Sequence, residues 1–362
     1  MTSPMTRDEY GFARAPETIE RIQYGRFRNV YLYITEQCQL RCGHCYMGER
    51  LERALVMPTE QVFSTLTTWR KMGGSKLSIL GGEPTLHPDF KHIIKYANTI
   101  GYEKVILNTN ALRPAARKLR ELEPTDFAYI QVSLDGASSG THDLIRGKGT
   151  FDISWEVTRE LCQRGFDTRV ICTVNRVNMD ECLNLLHMAD EIGVSLVKYH
   201  VFSGIGHGIE NNEWLVSPRD WIAFYDRLEQ EKGKHRCQIW YQPTYATRSR
   251  VLQYTEEGYR GCIGRTLDRI SIFPDGRCYV CSYLFDTDLN FANMVDGNIE
   301  LNRNPNEFDL FTAVLNKDSC GDCKIRGGCQ GGCPAEEIVM GASSCSVDPD
   351  IVPVCRLWKS EF

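Results

Sequence analysis

The sequence lacks the features that would anchor a protein in a membrane or send it out of the cell. It contains no run of about 18 apolar residues, and its N-terminal segment MTSPMTRDEYGFARAPE has no apolar stretch of signal-peptide length. Basic residues are not in excess either, because the net charge is −5 at pH 7, so a basic stripe for nucleic acid is missing. We therefore expect a cytoplasmic protein that binds neither a membrane nor a nucleic acid.

Cysteine is the residue type that this sequence has in excess. The 362 residues include 16 cysteines, although a chain of this length can bury a full core and needs no covalent staples. In a reducing compartment, dense cysteine indicates metal binding or redox chemistry rather than a disulfide framework. The cysteines are therefore interpreted first as candidate metal ligands.

Strand-like apolar runs alternate with helix-length amphipathic segments between residues 28 and 235. This alternation predicts βα units around a parallel sheet, and six units suffice for an incomplete TIM-like barrel. The predicted strands are Val30–Thr35, Lys76–Leu80, Lys104–Asn108, Ala128–Leu134, Thr168–Val174 and Leu196–Phe202, with helices near 59–72, 89–100, 113–122, 151–164, 179–192 and 218–232. The fold class is therefore α/β, in three parts: an N-terminal extension (1–27), the partial barrel (28–235), and a linker with a small cysteine-rich domain (236–362).

Three cysteines follow the first predicted strand within one short loop. Cys38, Cys42 and Cys45 have the spacing C-x3-C-x2-C, and three thiolates this close can hold three irons of a [4Fe–4S] cluster while the fourth iron stays open. A zinc site is the alternative, but structural zinc takes four ligands and only His44 is at hand for the fourth position. We therefore predict an iron–sulfur cluster with one open iron.

This loop, placed after the first strand of a partial barrel, resembles the radical S-adenosylmethionine (SAM) superfamily. The resemblance implies that the open iron binds SAM and passes an electron into its sulfonium, which releases a 5′-deoxyadenosyl radical. The turn Gly81-Gly82-Glu83-Pro84 after the second strand adds to the resemblance, and its carbonyls and Glu83 are expected to receive the SAM ammonium group. By the same resemblance, polar residues at later strand ends hold the SAM ribose and carboxylate: Asn108, Ser133, Asp135 and Thr173.

Arg146 has two interpretations at this stage. It resembles the arginine that some radical SAM enzymes use on the SAM carboxylate, a role that needs a bidentate partner. The alternative is a surface residue that flanks a helix. The sequence shows no partner for the guanidinium, so both interpretations stay open.

The cysteines after residue 261 form a longer array. Cys262 is followed by Gly276 and Cys281, and then by the series C-x2-C-x5-C-x3-C and a final cysteine. This array resembles the SPASM domain, an extension of some radical SAM enzymes that holds two auxiliary [4Fe–4S] clusters. The resemblance implies Cys262, Cys281 and Cys333 as ligands of the first auxiliary cluster and Cys320, Cys323, Cys329 and Cys355 as ligands of the second.

Several assignments in this array stay open. The first auxiliary cluster either keeps an open iron or recruits Cys278, and Cys345 competes with Cys355 in the second. Taken alone, the array also suits zinc ribbons, since paired cysteines bind zinc as well as iron. The remaining cysteines fall in predicted helices, strands or their edges and are expected to be small core residues: Cys162, Cys172, Cys182 and Cys237.

The resemblance implies an enzyme with three [4Fe–4S] clusters, SAM, and an external one-electron reductant of the flavodoxin or ferredoxin type. The non-enzymatic alternative is an iron–sulfur electron carrier. A carrier needs the auxiliary cysteines but neither the open-iron loop nor the GGEP turn. Cleavage of SAM separates the two readings.

The substrate class is the least determined feature. Only 37 residues precede Cys38, too few for a peptide-binding domain with its own core, so we expect a small-molecule substrate. The expected substrate is a sugar nucleoside carboxylate, and the expected reaction is its decarboxylation by a lyase of antibiotic biosynthesis. In this respect the chain looks similar to cytosylglucuronate decarboxylases. Lys198 and His200 share one face of the sixth strand and are candidates for the general base and carboxylate clamp. Alternatively, Lys198 reaches solvent. A maturase of a ribosomally made peptide, and a dehydrogenase or epimerase of an aminocyclitol sugar, remain alternatives.

Overall fold

The structure is a computed structural model that describes residues 27–257, 269–285, 287–309, 322, 325 and 350–353. Its strands are β1 (Asn29–Tyr33), β2 (Lys76–Leu80), β3 (Lys104–Thr109), β4 (Tyr129–Ser133), β5 (Thr168–Val174), β6 (Leu196–Val201), β7 (Gln238–Tyr241), β8 (Tyr245–Thr247), β9 (Arg269–Ile272), β10 (Arg277–Tyr279), β11 (Ala292–Val295), β12 (Asn298–Leu301) and β13 (Ile351–Pro353). Its α-helices are α1 (Arg50–Arg53), α2 (Thr59–Lys71), α3 (Phe90–Thr99), α4 (Arg113–Leu119), α5 (Ser139–Arg146), α6 (Phe151–Gln163), α7 (Cys182–Glu191), α8 (Pro218–Glu231) and α9 (Arg248–Glu256). In these segments, no helix combines the length and the apolar character that crossing a membrane requires.

The six predicted strands form the centre of one open sheet. Strands β1 to β6 lie side by side in chain order and pair in parallel, with Tyr33 opposite Leu80 and Ser133 opposite Ile171. Helices connect successive strands, as parallel pairing requires. The six strands and the α/β fold class are therefore confirmed, with strand ends shifted by one or two residues from the prediction.

Helix α8 shows how the local sequence sets an element. Ser217 caps its N-terminus, since the hydroxyl accepts a hydrogen bond from the backbone N–H of Asp220 at 3.2 Å, and Pro218 occupies the first turn, where no N–H partner is needed. Trp221, Phe224, Tyr225 and Leu228 recur at helical spacing and are all buried. This apolar face holds the helix against the sheet beside β6.

The sheet continues past residue 235, where the sequence predicted the end of the barrel. Strand β7 pairs in parallel with β6. On the opposite edge, β9 pairs in parallel with β1, and the hairpin strands β10, β11 and β12 follow it. The boundary predicted at residue 235 therefore does not coincide with an edge of the sheet. Strand β7 has only four residues, Gln-Ile-Trp-Tyr, and a run this short does not by itself predict a strand.

The two ends of the sequence share one hydrophobic core. Phe27 packs edge-on against Trp69, with ring centroids 5.7 Å apart, and stacks on Phe291 at 5.6 Å. Tyr33 of β1 stacks on Phe273, which directly follows β9, at 4.2 Å. Aromatic pairs of this kind add to the burial of apolar area. The segment after residue 268 is thus fixed directly against the first strand.

A buried ion cluster adds a polar connection between the same parts of the chain. Glu36, just before the first cysteine loop, accepts hydrogen bonds from Arg50 at 3.1 Å and Arg53 at 2.5 Å. Both arginines also contact Asp275 in the β9–β10 turn, at 3.3 and 3.0 Å, and Arg50 donates to the carbonyl of Phe285. Glu36 is fully buried, so its charge needs these partners. The cluster fixes the cysteine loop relative to the C-terminal strands.

The four cysteines predicted to be small core residues do lie in the core. Cys172, Cys182 and Cys237 are buried, and Cys162 is half-buried and packs against the same hydrophobic cluster. Burial raises the pKa of the Cys162 thiol above its ordinary value, so this thiol stays protonated at neutral pH. These cysteines act as small apolar side chains, and their core role is confirmed.

Candidate active site

A cavity of about 260 Å³ lies where the parallel strands of the sheet end. Parallel strands bring their carboxyl ends to one edge, so the polar residues that follow them converge there. The predicted site residues that line this cavity are Cys38, Cys42, Cys45, Gly81, Gly82, Glu83, Asn108, Ser133, Arg146, Thr173, Lys198 and His200. Two of the predicted SAM contacts do not line it: Pro84 is buried at the start of a 3₁₀ turn (Pro84–Leu86), and Asp135 lies behind the cavity wall.

The cysteine loop brings three thiols to the cavity from within eight residues. A tight turn closes it, since the N–H of Cys45 donates to the carbonyl of Cys42 at 3.0 Å. The loop is also held from outside, because the N–H of Gly43 donates to the carbonyl of Ile145 at 2.9 Å and the carbonyl of Cys45 accepts from the N–H of His207 at 2.9 Å. The three thiols are therefore positioned by backbone contacts from distant parts of the chain.

The thiols sit in an environment that disfavours free thiolates. Burial raises the pKa of Cys38 to about 11 and that of Cys45 to about 12, and burial also raises the pKa of Cys42. Each thiolate would further raise the pKa of its neighbours by like-charge repulsion. A cation at this loop would remove the penalty, and its binding would release protons.

His44 is oriented by a buried carboxylate. Its Nε2 lies 2.6 Å from Oδ2 of Asp135, and its other ring nitrogen, Nδ1, stays available. A single zinc ion needs ligand atoms close together, but among the described residues the three thiols of the loop and His44 include no set of three ligand atoms within 4.8 Å of one another. Three thiols at a wider spacing suit a [4Fe–4S] cluster with one open iron.

The GGEP turn packs directly against the start of the cysteine loop. The N–H of Gly82 donates to the carbonyl of Thr35 at 2.9 Å, and the N–H of Glu83 donates to the carbonyl of Gln37 at 2.7 Å. A Cβ at Gly81 would lie 2.5 Å from the Thr35 carbonyl oxygen, and a Cβ at Gly82 would lie 2.6 Å from the Glu36 carbonyl oxygen. Glycine is required at both positions because two backbones meet here.

Glu83 is buried but well supplied with hydrogen bonds. Its Oε1 accepts from the hydroxyls of Thr85 at 2.6 Å and Thr109 at 2.9 Å, and its Oε2 accepts from the N–H of Asn110 at 2.8 Å. Burial raises the pKa of Glu83, and these donors counteract that rise. Because Oε2 accepts only one of these bonds, it has capacity for a further donor from the cavity.

Asp135 organises the wall between the cysteine loop and strand β5. Its carboxylate contacts His44 at 2.6 Å, the backbone N–H of Thr173 at 2.7 Å, and the guanidinium of Arg146. Burial by itself would raise its pKa, but Arg146 and His44 outweigh that effect and hold the pKa of Asp135 well below its usual range. Asp135 is fully buried and does not line the cavity, and the direct SAM contact predicted for it stays a prediction.

Arg146 is a buried residue of the cavity wall, so the surface interpretation is wrong. It ends helix α5, and its side chain is only 10% exposed. Its guanidinium pairs with Asp135 and also lies 3.9 Å from the sulfur of Cys42. Arg146 therefore connects the Asp135 network to the cysteine loop and presents its remaining surface to the cavity.

Lys198 and His200 face the cavity from strand β6, as their spacing predicts. The alternating residues Val197 and Tyr199 are buried on the other face. The Lys198 ammonium lies 4.3 Å from the ring centroid of Trp240 on β7, which stabilises the charge by a cation–π contact. Lys198 is partly exposed and lines the cavity, and its role as general base or carboxylate clamp stays a prediction.

Arg269 is a cavity residue that the sequence interpretation missed. It begins strand β9, and its guanidinium lies 4.3 Å from the ring centroid of Tyr31, another missed residue. Its Nε is buried and has no hydrogen-bond partner, and no carboxylate of the described segments forms an ion pair with it. The residue lies beyond the predicted barrel boundary, so only the pairing of β9 with β1 reveals it.

Two glutamines also line the cavity and were missed, one on a predicted strand and one after a strand that was not predicted. Gln131 stands two residues before Ser133 on β4, so the period of two could have revealed it. Its side-chain amide donates to Oδ1 of Asn108 at 2.6 Å, which orients that predicted SAM contact. Gln242 follows β7 and could not be found, because β7 itself was missed.

The predicted auxiliary-cluster cysteines are described only in part. Cys281 is buried, and the carboxylate of Glu307 accepts from its N–H at 3.0 Å. Cys278 is fully buried on β10, and burial raises its pKa. Ser282, next to Cys281, lines the cavity. The other predicted ligands and Cys345 lie outside the described residues: Cys262, Cys320, Cys323, Cys329, Cys333 and Cys355.

Comparison with known proteins agrees with this architecture. A model of the radical SAM superfamily matches residues 32–189. Mycofactocin maturase MftC of Mycolicibacterium smegmatis is 25% identical over 352 residues, which cover 93% of this chain and 86% of that protein. The AdoMet-dependent heme synthase of Methanosarcina barkeri is 27% identical over 82% of this chain and 88% of its own.

Solved structures show the same fold at lower identity. Streptococcus suis SuiB bound to S-adenosylmethionine has a TM-score of 0.67 at 15% identity, over 89% of this chain and 76% of that one. Native anSMEcpe with bound AdoMet and a Cp18Cys peptide has a TM-score of 0.63 at 16% identity, over 86% of this chain and 90% of its own. Residues 32–189 therefore match a radical SAM domain.

Proposed function

We propose that this chain is a radical SAM maturase that acts on a ribosomally made peptide and carries two auxiliary clusters in its C-terminal part. The observation that carries the proposal is the cavity itself: the three thiols of the cysteine loop open into the same space as the GGEP turn, Lys198 and Arg269. SAM and substrate would therefore meet in one enclosed volume.

The three thiols fit the cluster that the superfamily implies. Cys38, Cys42 and Cys45 would hold three irons, and the groups around them supply donors to sulfur: the N–H of Leu40 at 3.4 Å from Cys38 and the Arg146 guanidinium at 3.9 Å from Cys42. With SAM bound at the open iron, such a cluster supplies the electron that cleaves SAM to methionine and a 5′-deoxyadenosyl radical.

The chain's own residues would bind and orient SAM. Oε2 of Glu83 and the carbonyls of Gly81 and Gly82 would accept from its ammonium group. Ser133 and Thr173, at the ends of β4 and β5, offer hydroxyls to the ribose or carboxylate. A further group, Asn108, is already oriented by Gln131.

Arg146 would attract the SAM carboxylate while it stays paired with Asp135. A guanidinium has five N–H donors, so the bond from Nε to Asp135 leaves others free to reach the cavity. The cost of burying its charge is already offset by Asp135 in the absence of a ligand. The residue is thus prepared to bind an anion without rearrangement.

A peptide substrate is favoured by the comparisons over the small molecule expected from the sequence. The relatives named as mycofactocin maturases align over more than 90% of this chain, and SuiB, a fold neighbour, has been solved with the precursor peptide SuiA. The relatives named above do not include a decarboxylase of sugar nucleosides. The peptide-maturase alternative is therefore our proposed function.

The proposal of auxiliary clusters is based on the cysteine array and on one structural observation. Cys281, a proposed ligand of the first auxiliary cluster, directly precedes Ser282 in the cavity wall. A cluster held there would lie close enough to the substrate to accept the electron that remains after hydrogen abstraction. A flavodoxin or ferredoxin would supply the electron for SAM cleavage.

The substrate end of the cavity is cationic. Lys198 and Arg269 line it, while the single carboxylate among the described lining residues is Glu83, which is already hydrogen-bonded. His200 lies beside Lys198 and can exchange a proton with the substrate. A peptide with a carboxylate near the reacting carbon fits this charge distribution.

The first test is the formation of 5′-deoxyadenosine. The anaerobically reconstituted enzyme, given SAM and dithionite, should release 5′-deoxyadenosine, and the variant Cys38→Ala/Cys42→Ala/Cys45→Ala should release none, because it cannot hold the cluster. The matched control is Cys162→Ala, which removes a core cysteine and should keep the activity. Release at the wild-type rate by the triple variant would contradict the proposed site.

The substrate class is tested separately. A short precursor peptide encoded beside the gene and cytosylglucuronic acid are each incubated with enzyme, SAM and dithionite. We expect a mass change in the peptide and none in cytosylglucuronic acid. Release of carbon dioxide from the sugar nucleoside, with the peptide unchanged, would return the decarboxylase reading and leave the SAM-cleaving site intact.

A further inference from the structure

Three potential metal ligands converge on the outer surface of the barrel, away from the cavity. His187 of α7, Glu231 at the end of α8, and His235 just after it place one ligand atom each within 4.8 Å of one another. Nε2 of His235 is 2.9 Å from Oε2 of Glu231, and Nε2 of His187 is 4.0 Å from the same oxygen. Both imidazoles thus point at one carboxylate oxygen.

The chemistry of this group is that of a divalent transition metal. Two imidazoles and one carboxylate are a common ligand set for zinc, which bonds nitrogen and oxygen at about 2.0–2.2 Å and leaves a fourth position to water. Ligand atoms around a tetrahedral zinc lie ~3.3 Å apart by those bond lengths. The observed separations therefore need shifts of about 1 Å, which the exposed His187 can make by rotating its side chain.

Charged groups lie beside two of the ligands. Oδ2 of Asp190 lies 3.9 Å from Nδ1 of His235, on the side of the ring opposite the ligand nitrogen, and Oδ1 of Asp190 is fixed by the N–H of Cys237 at 2.7 Å. A carboxylate behind a ligating imidazole is the usual support of a metal site. Lys234 pairs with Oε1 of Glu231 at 2.9 Å, which leaves Oε2 for the two histidines.

We propose that His187, Glu231 and His235 form a zinc site that links helix α7 to the turn between α8 and β7. The site would fix the segment that delivers β7, and with it Trp240 and Gln242, to the edge of the sheet. It lies outside the cysteine clusters and does not depend on the reaction that the enzyme catalyses.

The test is zinc binding by the enzyme with its iron–sulfur clusters already in place, so that the cluster cysteines are not free to bind zinc. Titration of the wild type with zinc chloride should show one equivalent by calorimetry, and an anomalous difference map at the zinc edge should place the metal between the three side chains. His187→Ala/His235→Ala should lose this equivalent. Asp190→Asn should weaken binding about tenfold.

Two further measurements complete the test. Zinc should raise the thermal midpoint of the wild type and leave that of the double variant unchanged, because binding to the folded state alone stabilises it. His92→Ala is the matched control, since His92 is exposed and pairs only with Asp89 at 3.4 Å among the described groups. Equal zinc uptake by the wild type and by the double variant, or zinc located elsewhere, would overturn the site.

Discussion

His142 is a buried histidine whose protonation state affects a hydrogen bond in the cavity wall. Its Nδ1 accepts a hydrogen bond from the backbone N–H of Asp135 at 3.1 Å, and its buried Nε2 has no hydrogen-bond partner among the described residues. Burial, assisted by the charge of Arg146, lowers the pKa of His142 to about 4. The ring is therefore neutral at physiological pH, and Nδ1 stays free of a proton so that it can accept from Asp135.

This pKa predicts an acid sensitivity of the folded protein. Because the unfolded chain binds the proton at about pH 6.5 and the folded chain only near pH 4, the stability that His142 contributes is complete above pH 6.5 and is lost as the pH falls towards 4. The loss is on the order of 3 kcal/mol over the full range. The thermal midpoint of the wild type should fall accordingly between about pH 7.5 and pH 5.5.

The matched variant is His142→Asn, whose side-chain oxygen can accept from Asp135 but does not titrate. Its thermal midpoint should depend less steeply on pH than that of the wild type. His92→Asn, an exposed control, should leave the pH dependence unchanged. A pH profile of His142→Asn identical to that of the wild type would show that this ring does not carry the acid sensitivity.

At the scale of elements, the GGEP turn and the cysteine loop behave as one unit. Two backbone hydrogen bonds join them, and the Glu83 carboxylate extends the connection to the end of β3 through Thr109 and Asn110. The turn therefore places the cysteine loop as well as lining the cavity. A change in its backbone should disturb cluster binding and SAM binding together.

Gly82→Ala tests this dependence. The added Cβ would lie 2.6 Å from the Glu36 carbonyl oxygen, so the turn must move away from the loop, at a cost of about 1–3 kcal/mol. We expect lower iron content and slower 5′-deoxyadenosine release, measured on the same preparation. The control is Gly140→Ala in helix α5, where the nearest atom is 3.6 Å away and alanine should be neutral or slightly stabilising. Normal iron content and activity in Gly82→Ala would contradict the coupling.

At the scale of the whole molecule, strands β9 to β12 are part of the same sheet as the barrel, while β13 pairs with β8 in a separate two-stranded sheet. Strand β9 pairs in parallel with β1. The ion cluster of Glu36, Arg50, Arg53 and Asp275 joins the cysteine loop to the β9–β10 turn. The cavity accordingly contains Arg269 and Ser282 beside the thiols. One rigid framework would hold the SAM-cleaving cluster and the first auxiliary cluster at a fixed separation.

The metal content of the whole protein tests the three-cluster proposal. Anaerobic reconstitution should give about twelve irons per chain, since each [4Fe–4S] cluster contributes four. The triple variant at Cys38, Cys42 and Cys45 should hold about eight, because the C-terminal ligands belong to other segments. Iron and zinc are measured by elemental analysis. A wild type with about four irons, and zinc in the remaining cysteine sites, would refute the auxiliary clusters.

Local sequence determined the six strands, the cysteine loop and the GGEP turn. Each is written in consecutive residues: apolar runs of strand length, three thiols within eight positions, and two glycines where backbones meet. The shared direction of the Lys198 and His200 side chains also followed from a local rule, because side chains two residues apart on a strand point to the same face. These features could be predicted because neighbours in sequence are sufficient to define them.

Tertiary structure alone decided the features that join distant segments. Asp135 and His44 are 91 positions apart, and only their contact at 2.6 Å shows that a carboxylate after β4 orients the histidine of the cysteine loop. Arg269 entered the cavity because β9 pairs with β1, a partner about 240 residues earlier, and no pattern in a single sequence encodes such a pairing. The sequence thus determined which chemical groups are present. The long-range pairing of strands and of buried charges decided which of these groups face the cavity. Burial and charge compensation depend on neighbours that come together only when the chain folds.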